Sequence, residues 1–379
     1  MAISNSLRPT LLTSPHEPGT AEAVEEFLKR RKKATINDVA RLAKVSKKTV
    51  SRVINKSPSV RAETRESVNE IIAKIGFRPD PQARGLAFRR SFLLGLMYDN
   101  PNAQYIVNMQ MGALDALRGT GTELVVHPCD RHSPTFLADI KSFLESQRLS
   151  GVIILPPIAE DRALLKVLDE LDVPYVRVSA RHGAESSPPI PGRQVVSRDY
   201  VGCRSASEHL ALYGHKRIGF IAGPDYYVSA HVRRGGFVDG LTAHEITIAE
   251  ELDKKGTYSF ESGYEAARDL LVREDRPTAI IACNDEMAIG TYKAAFELGL
   301  RIPEDLSVIG FDDSPIATRV FPQLTTVRLP TRDMGRTAAE TLMNPDYDRN
   351  TAIIFDSSLM ERGSSGPVPQ ASSPDETLR

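Results

Sequence analysis

The chain has 379 residues, a net charge of −1 and the composition of a soluble globular protein, which is enough length for two or three domains. It contains no apolar run long enough for a membrane-spanning helix, and we recognise no signal peptide at its start. The three cysteines, Cys129, Cys203 and Cys283, are too widely spaced for a zinc site or a disulfide framework, so we expect no metal, no cofactor and a cytoplasmic protein.

Charge is distributed unevenly along the chain. Residues 29–90 hold 18 lysines and arginines against five acidic residues, whereas the remainder holds 30 against 44. A basic segment attached to an acidic body predicts a polyanionic partner for the first ninety residues only. Binding to phosphates through this segment should depend strongly on salt concentration.

Residues 1–33 are predicted to be a disordered basic extension. The first 20 residues mix Ser, Thr, Pro and Asn without periodicity, and residues 21–28 have the pattern for at most one or two helical turns. Residues 29–33 are five consecutive basic side chains. Such runs are usually only solvated, but next to a DNA-binding element this one would add phosphate contacts.

A pair of short amphipathic helices is predicted between Thr35 and Asn55. The first has apolar residues at helical spacing and Thr35 at its N-cap position, where the hydroxyl can accept a backbone N–H. Ser46 can cap the second helix, whose buried residues would be Val50 and Val53 and whose outer face is polar and cationic. This pattern is typical of a helix-turn-helix. The spacing of apolar residues alone is equally consistent with an ordinary helix pair that has a solvated basic face.

A third helix and a linker complete this region. Val68, Ile71, Ile72 and Ile75 again have helical spacing, and the Gly-Phe-Arg-Pro segment at 76–79 ends the helix. Residues 80–91 then form a candidate linker that is too short to bury a core of its own. The predicted boundaries are therefore 34–79 for the helical domain and 80–91 for the linker.

From residue 92 onward, apolar runs alternate with amphipathic helical patterns, which predicts parallel sheets covered by helices on both faces. No G-x-G-x-x-G follows the first strand and no P-loop motif is present, so nucleotide binding is disfavoured. The proline-rich segment 181–193 is predicted to be a loop. The expected strands are Phe92–Tyr98, Glu123–His127, Gly151–Leu155, Val173–Val178, Arg217–Ala222, Thr278–Cys283 and Leu306–Phe311.

Ligands of open parallel sheets bind beyond the carboxyl ends of the strands. The residues that follow the expected strands are rich in carboxylates, amides and aromatic rings, which suit sugar hydroxyls and the face of a pyranose ring. Asp and Asn at such joints also serve as helix caps and turn residues, so a structural role stays open. The candidates by position are Asp99, Asn100, Asn102, Tyr105, Pro156, Pro157, Asn284, Asp285, Asp312 and Asp313.

The helix pair resembles the DNA-binding domain of the LacI/GalR family of transcriptional regulators, on the segments Asp38–Ala40, Val45–Ser46 and Thr49–Val53 and on Asn55. The resemblance implies an α/β protein with three parts: a helix-turn-helix domain, a hinge helix over residues 80–91, and a two-lobed core like that of periplasmic binding proteins. In the family, the hinge helices fold together in the minor groove and an apolar wedge kinks the duplex. The DNA contacts it implies are Thr35, Lys47, Lys48, Thr49, Ser51, Arg52, Asn55, Arg84 and Leu86.

The resemblance also implies how the core at 92–362 is divided. One lobe would comprise about 92–177 and 328–345, and the other about 178–327 and 346–362. The chain would first cross between lobes at the 181–193 loop, cross back near Thr325–Arg328 for a helix at Thr331–Met343, and finish in the second lobe near Ala352–Leu359. Residues 363–379, rich in Ser, Pro and Gly, are predicted to be a disordered tail.

The family's effector-binding positions fall on a definite set of residues. Arg233 falls on its ligand-contacting arginine, and Tyr258 falls where one family member carries a stacking tryptophan. Leu329 replaces a common glutamine and Asp99 replaces a small hydroxyl residue, so the ligand should differ from those of well-known members. Arg233 also has an alternative reading as a surface ion-pair residue. The full predicted set is Asp99, Asn100, Tyr105, Ser229, Arg233, Tyr258, Asn284 and Asp312.

Together these observations predict a ligand-controlled DNA-binding regulator, with repression of a carbohydrate-use operon as the leading reading and activation left open. The expected partners are a palindromic operator, a sugar or sugar-derivative effector, and a second copy of the chain in a homodimer or tetramer; no membrane partner is expected. The alternative is a solute-binding protein of the same core fold. A hydrolase using Asp312 and Asp313 is a third reading, but adjacent carboxylates on one strand end point apart, so we expect no catalytic residues.

Overall fold

The computed structural model describes residues 21–29, 34–54, 57, 59–77, 91–180, 192–344, 346, 348 and 352–369. The chain divides into two compact units, residues 1–90 and 91–379. All but the last residue of the predicted hinge at 80–91 lie outside the described residues, as do Asn55, Arg84 and Leu86. No helix of the described part is both long and apolar enough to cross a membrane.

The first unit is a small helical domain with its own apolar core. Its four described helices are α1 (Ala21–Lys29), α2 (Ile36–Leu42), α3 (Lys47–Ile54) and α4 (Ala62–Ile75). The helix pair and the third helix expected from the sequence are confirmed. Their inward side chains form one cluster, because each short helix buries an apolar stripe that it cannot cover alone. The buried members from these three helices are Val39, Ala40, Leu42, Val50, Val53, Val68, Ile71 and Ile75.

The prediction of disorder is wrong for residues 21–29. This segment forms helix α1, and Val24 and Phe27 are buried in the same cluster as the other three helices. Val24 and Phe27 are one helical turn apart, so both reach the domain core from one face of α1, which lies against α4. Residues 1–20 and 30–33 lie outside the described part of the chain.

Capping explains where the helices begin and end. The Ser46 hydroxyl accepts the backbone N–H of Thr49 at 3.1 Å, as expected from the sequence. At α2 the Thr35 hydroxyl donates to the Asp38 carboxylate at 2.6 Å, and the backbone N–H of Thr35 donates to the same oxygen at 3.0 Å. Gly76 ends α4 with φ of +63°, a left-handed conformation that glycine adopts without a steric penalty.

The described part of the second unit contains two six-stranded sheets flanked by helices, which confirms the alternation of strands and helices expected from the sequence. The helices are α5 (Ala103–Leu117), α6 (Phe136–Gln147), α7 (Arg162–Glu170), α8 (Asp199–Leu212), α9 (Val228–Thr242), α10 (Phe260–Leu271), α11 (Asp285–Glu297) and α12 (Thr331–Met343). The strands are β1 (Leu93–Tyr98), β2 (Glu123–Pro128), β3 (Gly151–Ile154), β4 (Tyr175–Ala180), β5 (Arg193–Arg198), β6 (Ile218–Ala222), β7 (Asp253–Lys255), β8 (Ala279–Ala282), β9 (Ser307–Asp312), β10 (Thr325–Arg328), β11 (Ala352–Asp356) and β12 (Ser358–Met360).

The sheet orders define the two lobes. Sheet one is β11-β5-β4-β3-β1-β2, and sheet two is β12-β10-β9-β8-β6-β7. All pairings of sheet one are parallel, and in sheet two the described exception is the antiparallel pair of β10 with β12. Central strands such as β3 and β8 are buried along their whole length because helices cover both faces of each sheet.

The expected crossing points between the lobes need correction. The chain does not cross at 181–193, because β5 follows that segment and pairs in parallel with β4 in sheet one. It crosses after Arg198, where α8 begins, and crosses a third time at Ser357, between β11 in sheet one and β12 in sheet two. The second lobe therefore begins about 20 residues later than the boundary at 178, and Ala352–Asp356 belongs to the first lobe.

The predicted disordered tail also needs correction over residues 363–369. Ser364 and Ser365 are buried, and the Ser364 hydroxyl donates to the Val308 carbonyl and accepts the backbone N–H of Thr325. His215 bonds to the Gly366 carbonyl at 2.9 Å. These contacts attach the segment to sheet two, so its small polar residues are ordered by hydrogen bonds instead of by apolar burial. Residues 370–379 lie outside the described part of the chain.

Candidate functional site

Helix α3 presents a cationic face on the helical domain. Lys47, Lys48 and Arg52 are exposed, whereas Val50 and Val53 are buried in the domain core. The separation arises because residues three and four apart lie on one side of a helix, so the charged residues occupy the side that the core does not use. Two further predicted residues on this helix, Thr49 and Ser51, are half-buried at the border of that face.

Thr35 is exposed, but its hydroxyl and its N–H are both engaged by Asp38. This interaction orients the first turn of α2. The other predicted DNA contacts, Asn55, Arg84 and Leu86, fall on residues that the structure does not describe.

A cavity lies between the two lobes of the second unit and encloses about 490 Å³, its open mouth included. The sheets position the lining, because many of its residues lie at or just after the carboxyl ends of β1, β3, β4, β5, β8 and β9, as expected for open parallel sheets. It is lined by Asn100, Asn102, Tyr105, Pro156, Val178, Ser179, Ala180, Ser197, Asp199, Tyr227, Ser229, Arg233, Tyr258, Asn284, Asp312 and Leu329.

Seven of the eight predicted effector residues line this cavity. The exception is Asp99, which is not in the lining: its carboxylate accepts the backbone N–H of Arg131 at 3.3 Å. Asn284 combines both roles considered from the sequence. Its side chain caps α11 by accepting the N–H of Met287 and donates to the Tyr258 carbonyl, and it also borders the cavity.

Arg233 and Asp199 form a buried ion pair in the cavity wall. The Arg233 Nε donates to Asp199 Oδ2 at 2.8 Å, and the two side chains are 9% and 1% exposed. Arg233 Nη1 donates to the Cys283 carbonyl at 2.7 Å, and its guanidinium carbon lies 3.5 Å from the Phe311 ring centroid. The reading of Arg233 as a surface ion-pair residue is therefore wrong, because both partners are removed from solvent and hydrogen-bonded.

Asp312 approaches the same guanidinium from the end of β9. Its Oδ1 lies 3.9 Å from Arg233 Nη2, and its Oδ2 accepts from the Asn102 amide at 2.8 Å. The Asp312 backbone has φ of +118°, which is unusual for a residue with a side chain and directs the carboxylate into the cavity. Burial raises the pKa of this carboxyl well above its usual range, and the Arg233 charge opposes that shift.

Nine lining residues were not in the predicted effector set, and five of them are polar: Asn102, Ser179, Ser197, Asp199 and Tyr227. Asn102 was nominated by its position after β1. Ser197 and Asp199 were missed because β5 was not recognised as a strand. Among the described residues, Asp199 Oδ1 and Ser179 Oγ are buried atoms without a hydrogen-bond partner. Buried polar atoms are normally paired, so these two are available to a ligand.

Several contacts between described residues join the two lobes beside the cavity. Asn102, from the first lobe, donates to Asp312 of the second. The Tyr227 hydroxyl donates to the Asp99 carbonyl at 3.3 Å. Arg131 lies over the ring of Tyr226 at 4.6 Å, a cation–π contact near the mouth. The two lobes are thus joined beside the cavity by polar contacts that a ligand could replace.

The chain matches two protein families over separate segments. Residues 35–80 match the bacterial regulatory proteins of the lacI family, and residues 207–365 match the periplasmic binding protein-like domain. The first match covers α2 to α4, and the second covers most of the second lobe together with α12, β11 and the segment after β12.

Full-length relatives are similar over most of their length. The HTH-type transcriptional regulator CelR of Thermobifida fusca is 33% identical over 348 residues, which is 89% of this chain and 100% of the relative. The solved structure of a CelR–cellobiose complex is 30% identical with a TM-score of 0.66, and it covers 88% of this chain and 100% of that one. A lac repressor dimer bound to operator and the anti-inducer ONPF is 29% identical with a TM-score of 0.73 and the same coverage.

The family matches, the similarity to relatives over most of the chain, and the similar solved structures all agree with a helix-turn-helix domain followed by a two-lobed core. The chain belongs to the LacI family of bacterial transcriptional regulators.

Proposed function

We propose that this regulator binds a palindromic operator in the cytoplasm as a homodimer, reads it with helix α3, and changes its operator affinity when a sugar or sugar derivative binds between the lobes. The observation that carries the proposal is the coexistence of an exposed cationic recognition face and a cavity with unpaired buried polar atoms. Repression is the favoured outcome, because the relatives reported above are a regulator and a repressor.

Three cationic side chains support the binding of DNA by α3. Lys47 and Lys48 lie in the first turn of α3 and Arg52 lies in its last turn, so one face carries charge along the whole helix. An arginine matches guanine bidentately, which assigns Arg52 to a base edge. The lysines suit phosphates or a second base. The residues at 80–91 would follow the family in entering the minor groove, with Leu86 as the wedge.

The cavity supports a polyhydroxylated effector. Its lining combines amides, hydroxyls and carboxylates with the rings of Tyr105, Tyr227 and Tyr258. Sugar hydroxyls both donate and accept, so they can pair with Asp199 Oδ1 and Ser179 Oγ, and a ring face packs well against tyrosine. The solved CelR relative holds cellobiose, which makes a sugar the first ligand to test.

An apolar stripe on α5 supports the homodimer. Val107, Met111 and Leu114 are 47%, 40% and 43% exposed and lie at i, i+4 and i+7, on one face of the helix. A continuous exposed apolar face of this kind is typical of a contact with another chain. A second copy fits because a palindromic operator requires two reading helices related by twofold symmetry.

Catalysis is not part of the proposal. Of the two adjacent carboxylates considered for a hydrolase, Asp312 lines the cavity but Asp313 pairs with Arg328 and Arg362. The two groups therefore do not face a common substrate position, which paired-carboxylate chemistry requires.

The operator side is tested by selecting duplexes from a random pool with the full-length protein and measuring the selected site by fluorescence anisotropy. We expect Arg52→Ala to weaken discrimination for one base pair by about 1–3 kcal/mol. Lys74→Ala, on the exposed face of α4, removes the same charge from the same domain and serves as the matched control. Equal discrimination by wild type and Arg52→Ala would contradict the assignment.

The effector side is tested by a thermal-shift screen of the full-length protein against mono- and disaccharides. A ligand of the folded state raises the melting temperature by mass action. Any sugar that does so should also change operator affinity in the anisotropy assay. A sugar that binds the protein without changing operator affinity would contradict its role as effector.

A further inference from the structure

The described wall of the cavity offers no uncompensated positive charge to a ligand. Among the described residues that line it, Arg233 is the single cation, while Asp199 and Asp312 are carboxylates. The pair of Arg233 and Asp199 is neutral as a unit. What remains in the lining is the Asp312 carboxyl, whose charged form is disfavoured by burial, and the partial charges of amides and hydroxyls. Such a wall does not attract an anion.

Arg233 is also not available to clamp a carboxylate. Arginine recognises a carboxylate with two parallel N–H groups. Here Nε is committed to Asp199 and Nη1 to the Cys283 carbonyl, while Nη2 faces Asp312 at 3.9 Å. One face of the guanidinium is covered by the Phe311 ring at 3.5 Å. An anionic ligand could approach only the Nη edge, where it would meet the Asp312 carboxyl and a guanidinium whose charge Asp199 already compensates.

The unpaired carboxylate oxygen of Asp199 points to a ligand that donates a hydrogen bond at that position. Asp199 Oδ1 has no donor among the described residues, and a carboxylate oxygen can only accept. A sugar hydroxyl placed there would supply a charge-assisted hydrogen bond. A ligand carboxylate in the same place would leave Asp199 Oδ1 unpaired and bring two like charges together at low dielectric.

We propose that Asp199 sets the charge class of the effector: the cavity selects a neutral polyhydroxylated ligand, such as an unmodified sugar, and rejects the uronic acid of the same sugar. This inference rests on the proposed function, since it concerns the effector of the same cavity. Asp199 acts as a specificity-determining residue in two ways. It neutralises Arg233 through Oδ2, and it demands a donor at Oδ1.

The experiment compares matched ligand pairs on the full-length protein by isothermal titration calorimetry. Each neutral sugar of the screen is paired with its uronic acid, for example glucose with glucuronate and galactose with galacturonate, whether or not it raises the melting temperature. We expect the neutral member to bind more tightly by on the order of a hundredfold, because the site's polar groups are left unpaired by the wrong ligand. Tighter binding of the uronate by wild type would overturn the inference without any variant being made.

The variant Asp199→Asn tests the residue itself. It keeps the shape of the side chain, removes the charge and frees Arg233 for an anion, so the preference for the neutral sugar should fall by at least about tenfold. Asp139→Asn, an exposed position on α6 outside the cavity lining, removes one negative charge elsewhere and should leave the ratio unchanged.

Each remaining outcome decides a separate question. An unchanged ratio in Asp199→Asn would overturn the role of Asp199. If neither member of any pair bound the wild-type protein, the proposed sugar effector would fail, and the inference with it. If the uronates alone bound, a sugar-type effector would stand and the neutral-ligand inference would be rejected.

Discussion

At the scale of single residues, Arg233 is held by more interactions than any other described residue of the cavity wall named above. We expect Arg233→Met to lower the free energy of unfolding of the second unit by about 3–5 kcal/mol, because Asp199 would become a buried charge without a partner. Adding Asp199→Asn should recover part of the loss, since the uncompensated charge disappears. All 11 tyrosines lie after residue 91 and the chain has no tryptophan, so urea unfolding followed by tyrosine fluorescence reports this unit. Equal stability of Arg233→Met and wild type would argue against the pair.

His215 makes the second unit sensitive to acid. It is fully buried, bonded to Thr278 and to the Gly366 carbonyl, and burial lowers its pKa below the ordinary value of 6.5. The folded state therefore favours the neutral ring, so stability is full above about pH 6.5 and falls as the pH drops below it.

Between pH 7.5 and 5.5 we expect His215→Gln to lose less stability than wild type, by up to about 1 kcal/mol. His209, whose pKa is also lowered by burial, would account for part of the slope that remains. His244→Gln, at an exposed position, is the control in the same urea titrations. Parallel pH profiles for wild type and His215→Gln would contradict this role.

At the scale of elements, helix pairs pack through glycines that allow backbones to touch. A methyl group added at Gly112 of α5 would lie 1.9 Å from the Arg332 carbonyl oxygen of α12, and one added at Gly335 would lie 2.3 Å from the Met109 carbonyl oxygen. Neither obstacle is the end of a flexible side chain. We expect Gly112→Ala to destabilise the second unit by about 1–3 kcal/mol, because the helices must move apart. The control is Glu340→Ala on the exposed side of α12. Helix propensity alone predicts that Gly112→Ala increases stability. If the variant were more stable than wild type, the close packing of the two helices would be refuted.

At the scale of the whole molecule, the two units should respond differently to salt. The segment 29–90 carries 18 basic and five acidic residues, so operator binding releases counterions. If six to ten phosphates are contacted, affinity should fall by roughly 10³–10⁵ between 50 and 200 mM salt. Binding of a neutral effector should change little over the same range. The two titrations use labelled operator and unlabelled sugar on one preparation, and an operator affinity independent of salt would contradict an electrostatic interface.

The helical domain was largely predictable because its structure depends on local signals. The apolar spacing in α2, α3 and α4, the cap at Ser46 and the stop at Gly76 all act within a few residues. Helix α1 was missed because two apolar residues, Val24 and Phe27, are too few to indicate a buried helix until the remaining core is in place. A short helix of this kind is stabilised by the packing that it completes.

Strand β5 is an element that the pattern of apolar residues in the sequence does not predict. Its sequence, Arg193–Arg198, contains Gln194 and Ser197, which are buried in the structure although neither is apolar. The segment is nevertheless a strand, because β4 and β11 lie on either side and satisfy the backbone of β5. Because β5 is not apparent from the sequence, the predicted first crossing between the lobes lies too early in the chain. For the same reason the predicted site does not include Asp199.

The sequence by itself determined the two-part architecture, the position of the cationic helix α3, and most of the cavity residues that lie beyond strand ends. These features follow from periodicity, charge and turn chemistry, which are local. Only the tertiary structure decided where the chain changes sheets, that residues 363–369 are bound to the second lobe, and which side chains share the cavity wall. Arg233 and Asp199 are 34 positions apart in the chain. Their pairing exists only because two helices begin at the same cleft, and it is this contact that gives the cavity its chemical preference.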